Sequence, residues 1–225
     1  MCQIRACVLK VLLVLLIARV GLAQQKEPRV DYTIPKTAGP PVIDGVIGED
    51  EWKHAAVLSG VTSVGAGDRP VHPRETQFFL SWDAGHLYIA GRSEMRPNER
   101  LLTNFRTVNS QEVVYDDSFE FGFDTLGRST RPGDDKGIYK FQVNFFGRIG
   151  PMKSLPAIGG FNYTWSPEFK RVSRITPDRK WWEYEMALPV GAIEQLRDNK
   201  TGDRLALMLG RNYKWPWNQC AIPCL

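Results

Sequence analysis

The feature that most constrains this chain is a strict alternation in the segment Ser118-Phe-Glu-Phe-Gly-Phe-Asp-Thr. Side chains of an extended chain point to opposite faces with a period of two. Phe119, Phe121 and Phe123 therefore share one face of a strand, and Glu120 and Asp124 lie on the other. We predict that the three rings build a core and that Phe121 is buried in it. The carboxylates on the back of the strand then need an explanation.

Most of the remaining sequence also predicts strands separated by turn signals such as Asp83-Ala84-Gly85. The further strand segments are 57–63, 75–82, 87–93, 138–146, 169–175, 181–188 and 204–213. Many short alternating strands with turn punctuation are typical of an antiparallel β-sandwich. A short helical turn over 49–56 precedes them, and one further short helix is predicted over 191–197. We therefore predict an all-β sandwich with a short N-terminal helical turn.

The first 23 residues predict a cleavable secretory signal peptide. Arg5 and Lys10 precede the apolar run 11–18, and Gly21-Leu22-Ala23 provides small residues for cleavage before Gln24. The run is shorter than the ~20 apolar residues that span a bilayer. We predict an extracellular or periplasmic protein without membrane attachment after cleavage, with a proline-containing linker over 24–40 and one domain over 41–225.

The net charge of the chain bears on the class of partner it can bind, and its cysteines bear on disulfide bonding. The chain carries a net charge of +4, which falls by three to about +1 without Arg5, Lys10 and Arg19, so the sequence predicts no nucleic-acid partner. Cys220 and Cys224 remain after cleavage, and the pairing of these two cysteines stays open.

Catalytic signatures are missing from the sequence. It has no G-x-S-x-G elbow, phosphate-binding glycine loop, H-E-x-x-H motif or Rossmann glycine pattern. A glycosidase needs two carboxylates roughly 5–10 Å apart across a cleft, and Asp116, Asp117, Glu120 and Asp124 are the candidates. Because neighbours on one strand face form a platform more readily than a cleft, we predict no catalytic residues and no catalysis by this chain itself. A small glycan-active hydrolase remains the alternative.

Acidic pairs in two loops raise the question of a metal. Asp116-Asp117 and Asp134-Asp135 offer the oxygen ligands that Ca²⁺ prefers. Neither pair has EF-hand spacing, and turn-forming acids with solvated carboxylates explain them without a metal. We predict no cofactor, with structural calcium as the alternative.

Aromatic residues are numerous, with 7 Trp and 7 Tyr. Sugars stack their C–H faces on aromatic rings and bond their hydroxyls to acids and amides. Trp52 and Trp82 are predicted to anchor the fold, as is Trp182. Trp165, Trp181, Trp215 and Trp217 fall in loops or on outward positions, which favours a binding surface.

Four segments in order resemble the family 9 carbohydrate-binding modules. They are PVIDGVIGEDEWKHA, FFLSWDAGHLYIAGRSE, DDSFEFGFDT with YKFQVNFFGRI, and WWEYEMALP with LALMLGRNY, which together cover residues 41–213. The resemblance implies a secreted saccharide-binding β-sandwich that serves polysaccharide breakdown alongside glycoside hydrolases. Family members continue where this chain stops at Leu225, which implies a different closure of the fold or a truncated chain.

The resemblance carries over residue by residue only in part. It implies that Glu120 bonds the sugar, and Gln142 stands where the family has an arginine. Val114 and Tyr115 stand where the family has one clamping tryptophan, and Trp215 and Trp217 lie near the place of the second.

The sequence thus predicts a carbohydrate-binding patch that faces solvent. Its candidate residues are Glu120, Gln142, Asn144, Tyr115, Trp215 and Trp217. Two alternatives to a non-catalytic module remain: the hydrolase with acids on the Glu120 face, and a structural or interaction domain that has lost the sugar site.

Overall fold

The computed structural model describes residues 31–63, 70–107, 109–124, 139–155, 160–193, 201–214 and 217–222. These residues form two antiparallel β-sheets that pack on a common apolar core. The predicted all-β sandwich with a short N-terminal helical turn is confirmed. Within the described ranges, every helix is too short or too polar to cross a membrane.

The regular elements follow one another as a helix and twelve strands within the described residues. They are α1 (Glu49–Trp52), β1 (Ala56–Ser59), β2 (Thr62–Ser63), β3 (Thr76–Trp82), β4 (His86–Glu94), β5 (Ser118–Asp124), β6 (Tyr139–Asn144), β7 (Ile149–Leu155), β8 (Gly160–Asn162), β9 (Lys170–Ile175), β10 (Trp181–Pro189), β11 (Ala206–Lys214) and β12 (Trp217–Ala221). Two 3₁₀ turns cover Gln111–Tyr115 and Val190–Ala192.

The strand order separates neighbours in sequence. The five-stranded sheet runs β1-β3-β4-β10-β9, and the seven-stranded sheet runs β2-β12-β11-β5-β6-β7-β8. Strand β5 thus lies between β11 and β6 near the middle of its sheet. This placement surrounds the outer face of β5 with side chains from two other strands.

The core forms where the inner faces of the two sheets meet. Phe119, Phe121 and Phe123 are each 0% exposed. Trp182 and Tyr184 of β10 meet them from the other sheet, and the ring centroids of Phe119 and Trp182 are 4.7 Å apart. The prediction that Phe121 is a core residue is confirmed, because alternation alone determines which face of a strand is apolar.

Some predicted elements differ from the structure. The predicted strand 57–63 is divided between the two sheets, and Gly60, with φ +81°, lies at the break. Strands β7, β8 and β12 were not predicted, and Gly150 and Pro151 interrupt the apolar alternation of β7. The predicted helix over 191–197 begins as the 3₁₀ turn Val190–Ala192, and residues 194–197 lie outside the described residues.

The N-terminal segment packs on the outer face of the five-stranded sheet. Ile43 and Trp52 are buried there against Tyr88, Ala90 and Ala187. Trp52 is 3% exposed, which confirms its predicted role as an anchor. Trp82, also predicted to anchor the fold, is half-buried against the core, and its indole N–H donates to the carbonyl oxygen of Ile34 at 3.0 Å.

Candidate functional site

The outer face of the seven-stranded sheet carries a row of polar side chains. Glu120 of β5 lies opposite Gln142 of β6 and opposite Gly210 of β11. A Cβ atom at Gly210 would lie 3.1 Å from the carbonyl oxygen of Cys220 and 3.5 Å from the Cβ of Glu120, so the tight contact that favours glycine there is with the β12 backbone. The predicted meeting of Glu120 and Gln142 on one face is confirmed by this register.

Glu120 is the centre of a buried hydrogen-bond network. Its Oε2 accepts from Asn212 Nδ2 at 2.7 Å and from Gln142 Nε2 at 3.1 Å. Its Oε1 forms an ion pair with the ammonium of Lys140, whose side chain is 28% exposed. Hydrogen bonds to a charged group are stronger than neutral ones, so the carboxylate fixes all three neighbours.

The expectation that Glu120 faces solvent is wrong, because its side chain is 0% exposed. Alternation gives the face of the strand correctly, but side chains from β6 and β11 cover that face. Gln142 is 8% exposed and Asn212 is 3% exposed. Asn212 was not predicted from the sequence, although its alternation with Leu209, Arg211 and Tyr213 in β11 places it on the polar face.

The 3₁₀ turn Gln111–Tyr115 borders this network on the β7 side. Val113 is buried above Gly150, where an added Cβ would lie 3.2 Å from the Cβ of Val113. Gly150 in turn pairs with Gln142. Packing of Val113 therefore holds this turn over Gly150, and Tyr115 at the end of the same turn is 64% exposed.

The acids that precede β5 hold the loop 102–105 by hydrogen bonds to its backbone. Asp116 is 0% exposed and accepts from the backbone N–H groups of Asn104 (2.7 Å) and Phe105 (3.0 Å). Asp117 accepts from the N–H of Leu102 at 2.7 Å and from Arg211 Nη1 at 3.1 Å. These partners give both carboxylates a structural role in holding the loop 102–105.

Asn144 belongs to the same loop support. Its Nδ2 donates to Asp116 at 2.8 Å and also to the carbonyl oxygen of Phe105, and its Oδ1 accepts from the N–H groups of Phe146 and Arg148. The side chain is 0% exposed. The structure therefore places Asn144 among buried turn contacts, below the surface it was predicted to line.

Lys214 lies at the β11 edge of the polar face. Its backbone N–H donates to Asp117 Oδ1 at 3.3 Å. Burial lowers the pKa of the Lys214 ammonium, and the carboxylates of Asp117 and Glu120 oppose that shift.

The backbone of Trp217 pairs with Lys214 in the ladder between β11 and β12. Trp215 and the side chain of Trp217 lie outside the described residues, so their predicted contact with ligand stays a prediction.

A second buried carboxylate lies on the outer face of the other sheet. Glu185 Oε2 accepts from the backbone N–H groups of Asp44 at 3.0 Å and Gly45 at 2.7 Å, and its Oε1 accepts from the indole of Trp52 at 2.8 Å. Burial raises the pKa of Glu185 against the lowering effect of these bonds. The N-terminal segment covers this acid, so Glu185 is a structural clamp.

Metal-binding constellations are missing from the described residues, where no group of three or more His, Cys, Asp or Glu residues meets in a suitable arrangement. Asp134 and Asp135 lie outside the described residues, so the calcium alternative is untested at that pair.

Cys220 is buried, and burial raises the pKa of its thiol. Cys224 lies outside the described residues, so the question of its pairing with Cys220 stays open.

Known structures share this arrangement of strands. A family 9 carbohydrate-binding module from Caldicellulosiruptor kristjanssonii in complex with cellotriose matches with a TM-score of 0.54, 16% identity and coverage of 84% of this chain and 82% of that chain. The chain has the family 9 module fold. The complex of such a module from the same organism with glucose matches with a TM-score of 0.51, 15% identity and coverage of 84% and 83%.

A proposed carbohydrate-binding protein from Bacteroides uniformis matches the same fold with a TM-score of 0.53, 16% identity and coverage of 75% of this chain and 77% of that chain. No family model and no curated protein matches the sequence. At identities of 15–16% this similarity shows the fold alone. The site is therefore inferred from the side chains of this chain.

Proposed function

We propose that this chain is a secreted, non-catalytic carbohydrate-binding module that serves polysaccharide breakdown. Its binding surface is the outer face of the seven-stranded sheet around Glu120. The observation that carries the proposal is the network of Glu120, Lys140, Gln142 and Asn212, which lines up fixed ammonium and amide groups on one face. Two neighbours with the same fold hold cellotriose and glucose.

The chemistry of this face suits a polyhydroxyl ligand. Lysine ammonium groups donate hydrogen bonds, and side-chain amides both donate and accept them, as sugar hydroxyls require. Tyr115, with 64% of its surface exposed, offers a ring on which a sugar can stack. Gln142 stands where the family has an arginine, so this site lacks the fork of charged donors that an arginine would supply. We therefore expect weak binding, with Kd of about 0.1–1 mM, or roughly 4–5.5 kcal/mol.

The test is calorimetric titration of the purified protein with glucose and cellotriose, together with sedimentation on insoluble cellulose and xylan. Tyr115→Ala should weaken binding about three- to tenfold, the usual worth of one aromatic contact. Tyr32→Ala is the matched control, because Tyr32 is another exposed tyrosine. Equal effects of the two substitutions would remove Tyr115 from the site, and absence of saccharide binding by the wild type would refute the function.

A structural or interaction domain that has lost sugar binding is the second candidate. The burial of Glu120, together with Val114 in place of a ring, favours it. A wild type that binds none of the glycans but associates with a secreted hydrolase would support this candidate. Reducing-sugar release that Glu120→Gln abolishes would instead support the hydrolase, for which the structure offers no free acid pair at Asp116 and Asp117.

A further inference from the structure

The exposed part of the polar network belongs to Lys140, and the acid beneath it is sealed. We infer that Lys140 supplies the ligand-facing donor of this site, and that Glu120 is a positioning residue that acts through Lys140. This inference rests on the proposed saccharide binding and deepens it. It reverses the expectation that Glu120 itself bonds the sugar.

Burial separates the two roles. The side chain of Glu120 is 0% exposed, whereas that of Lys140 is 28% exposed although the two form an ion pair. Both amide donors converge on Oε2 of Glu120, at 2.7 Å and 3.1 Å. A ligand that approaches this face from solvent therefore meets Lys140 before it meets the carboxylate.

The register explains how Lys140 reaches this position. Lys140 pairs with Gly122 across β5 and β6, so Glu120 is its diagonal neighbour on the same face. Diagonal neighbours lie within reach of long side chains. An ammonium carries three donors, and the ion pair with Glu120 leaves donors for sugar hydroxyl oxygens on the exposed side. Glu120 contributes by holding the flexible lysine stem in one orientation.

The experiment is a double-mutant cycle with glucose and cellotriose as titrants. Lys140→Met keeps the apolar stem and removes the ammonium, and we expect at least about a tenfold weaker Kd, as for loss of a hydrogen bond from a charged group. Lys140→Arg should restore most of the affinity. Lys170→Met, at an exposed lysine on the other sheet, is the control and should leave Kd unchanged.

Glu120→Gln keeps one carbonyl oxygen for the amides of Gln142 and Asn212 but loses the charge that holds Lys140. If Glu120 acts through Lys140, the double variant Glu120→Gln/Lys140→Met should bind within about twofold of Lys140→Met alone, because coupled residues are not additive. Multiplication of the two single effects would overturn the inference, since it would show that Glu120 affects the ligand independently of Lys140.

Three further outcomes of these experiments also test the inference. A Lys140→Met protein with wild-type Kd refutes the inference while saccharide binding stands. If the wild type itself binds neither sugar, the proposed function fails and the inference fails with it. If thermal unfolding shows that Glu120→Gln does not fold, the comparison of Lys140→Met with Lys140→Arg and Lys170→Met decides by itself whether Lys140 is the ligand-facing donor.

Discussion

Glu120 and Glu185 are both fully buried acids on the outer faces of the two sheets, yet their surroundings differ in kind. Glu185 accepts from two backbone N–H groups and one indole, all from the N-terminal segment that covers it. Glu120 accepts from side-chain amides and pairs with a partly exposed lysine. A carboxylate bound by the backbone of a covering segment fixes the fold. A carboxylate bound by side chains at a surface organises groups that a ligand can reach.

The largest effect that tests this difference is on the free energy of unfolding. Glu185→Ala leaves three donors, two of them buried, without an acceptor and should lower the free energy of unfolding by about 3–5 kcal/mol. Glu120→Ala should lower it by about 1–3 kcal/mol, because the freed Lys140 ammonium can be hydrated at the surface. Urea unfolding of both variants measures the two values. Equal losses would show that the covering segment adds nothing and would break the comparison.

A backbone substitution sharpens the comparison with a smaller effect. Gly45 has φ +86°, and an added Cβ would lie 3.0 Å from Val172 Cγ1. Gly45→Ala should lower the free energy of unfolding by about 1–2 kcal/mol, the usual penalty of the left-handed region, because this conformation directs the N–H of Gly45 at Glu185. Gly39→Ala is the control, since no atom lies within 4 Å of its added Cβ. A Gly45→Ala protein as stable as that control would contradict the clamp.

The smallest expected effect is a pH dependence at Glu185. Burial raises its pKa above the ordinary value of 4.5, so the folded state binds the proton more tightly than the unfolded state does. The stability that this proton provides is complete below about pH 4.5 and is lost as pH rises through the raised pKa.

Urea unfolding of the wild type and of Glu185→Gln across pH 4–8 isolates this single titration, because the other groups cancel in the difference. The wild type should lose stability relative to the variant as pH rises. An opposite slope would mean that the three donors outweigh desolvation and lower the pKa of Glu185.

The sequence predicted more of the fold than of the site. Alternation identified the inner rings of β5 and β10, and the paired register of Glu120 and Gln142 agrees with the predicted polar face. The alternation did not predict β7, where Gly150 and Pro151 interrupt the period of two, or the break within 57–63, where the chain passes from one sheet to the other. The binding roles of Tyr115, Trp215 and Trp217 remain predictions.

The sequence by itself determined which side of each strand is apolar, because the side-chain period of two is a local property of extended backbone. Only the tertiary structure decided that the polar side of β5 is buried. That burial depends on Asn212, which is 92 residues away along the chain, and on strand order, which no local pattern encodes. Desolvation is a property of neighbours in space, so the environments of Glu120 and Glu185 could be distinguished only once those neighbours were in place.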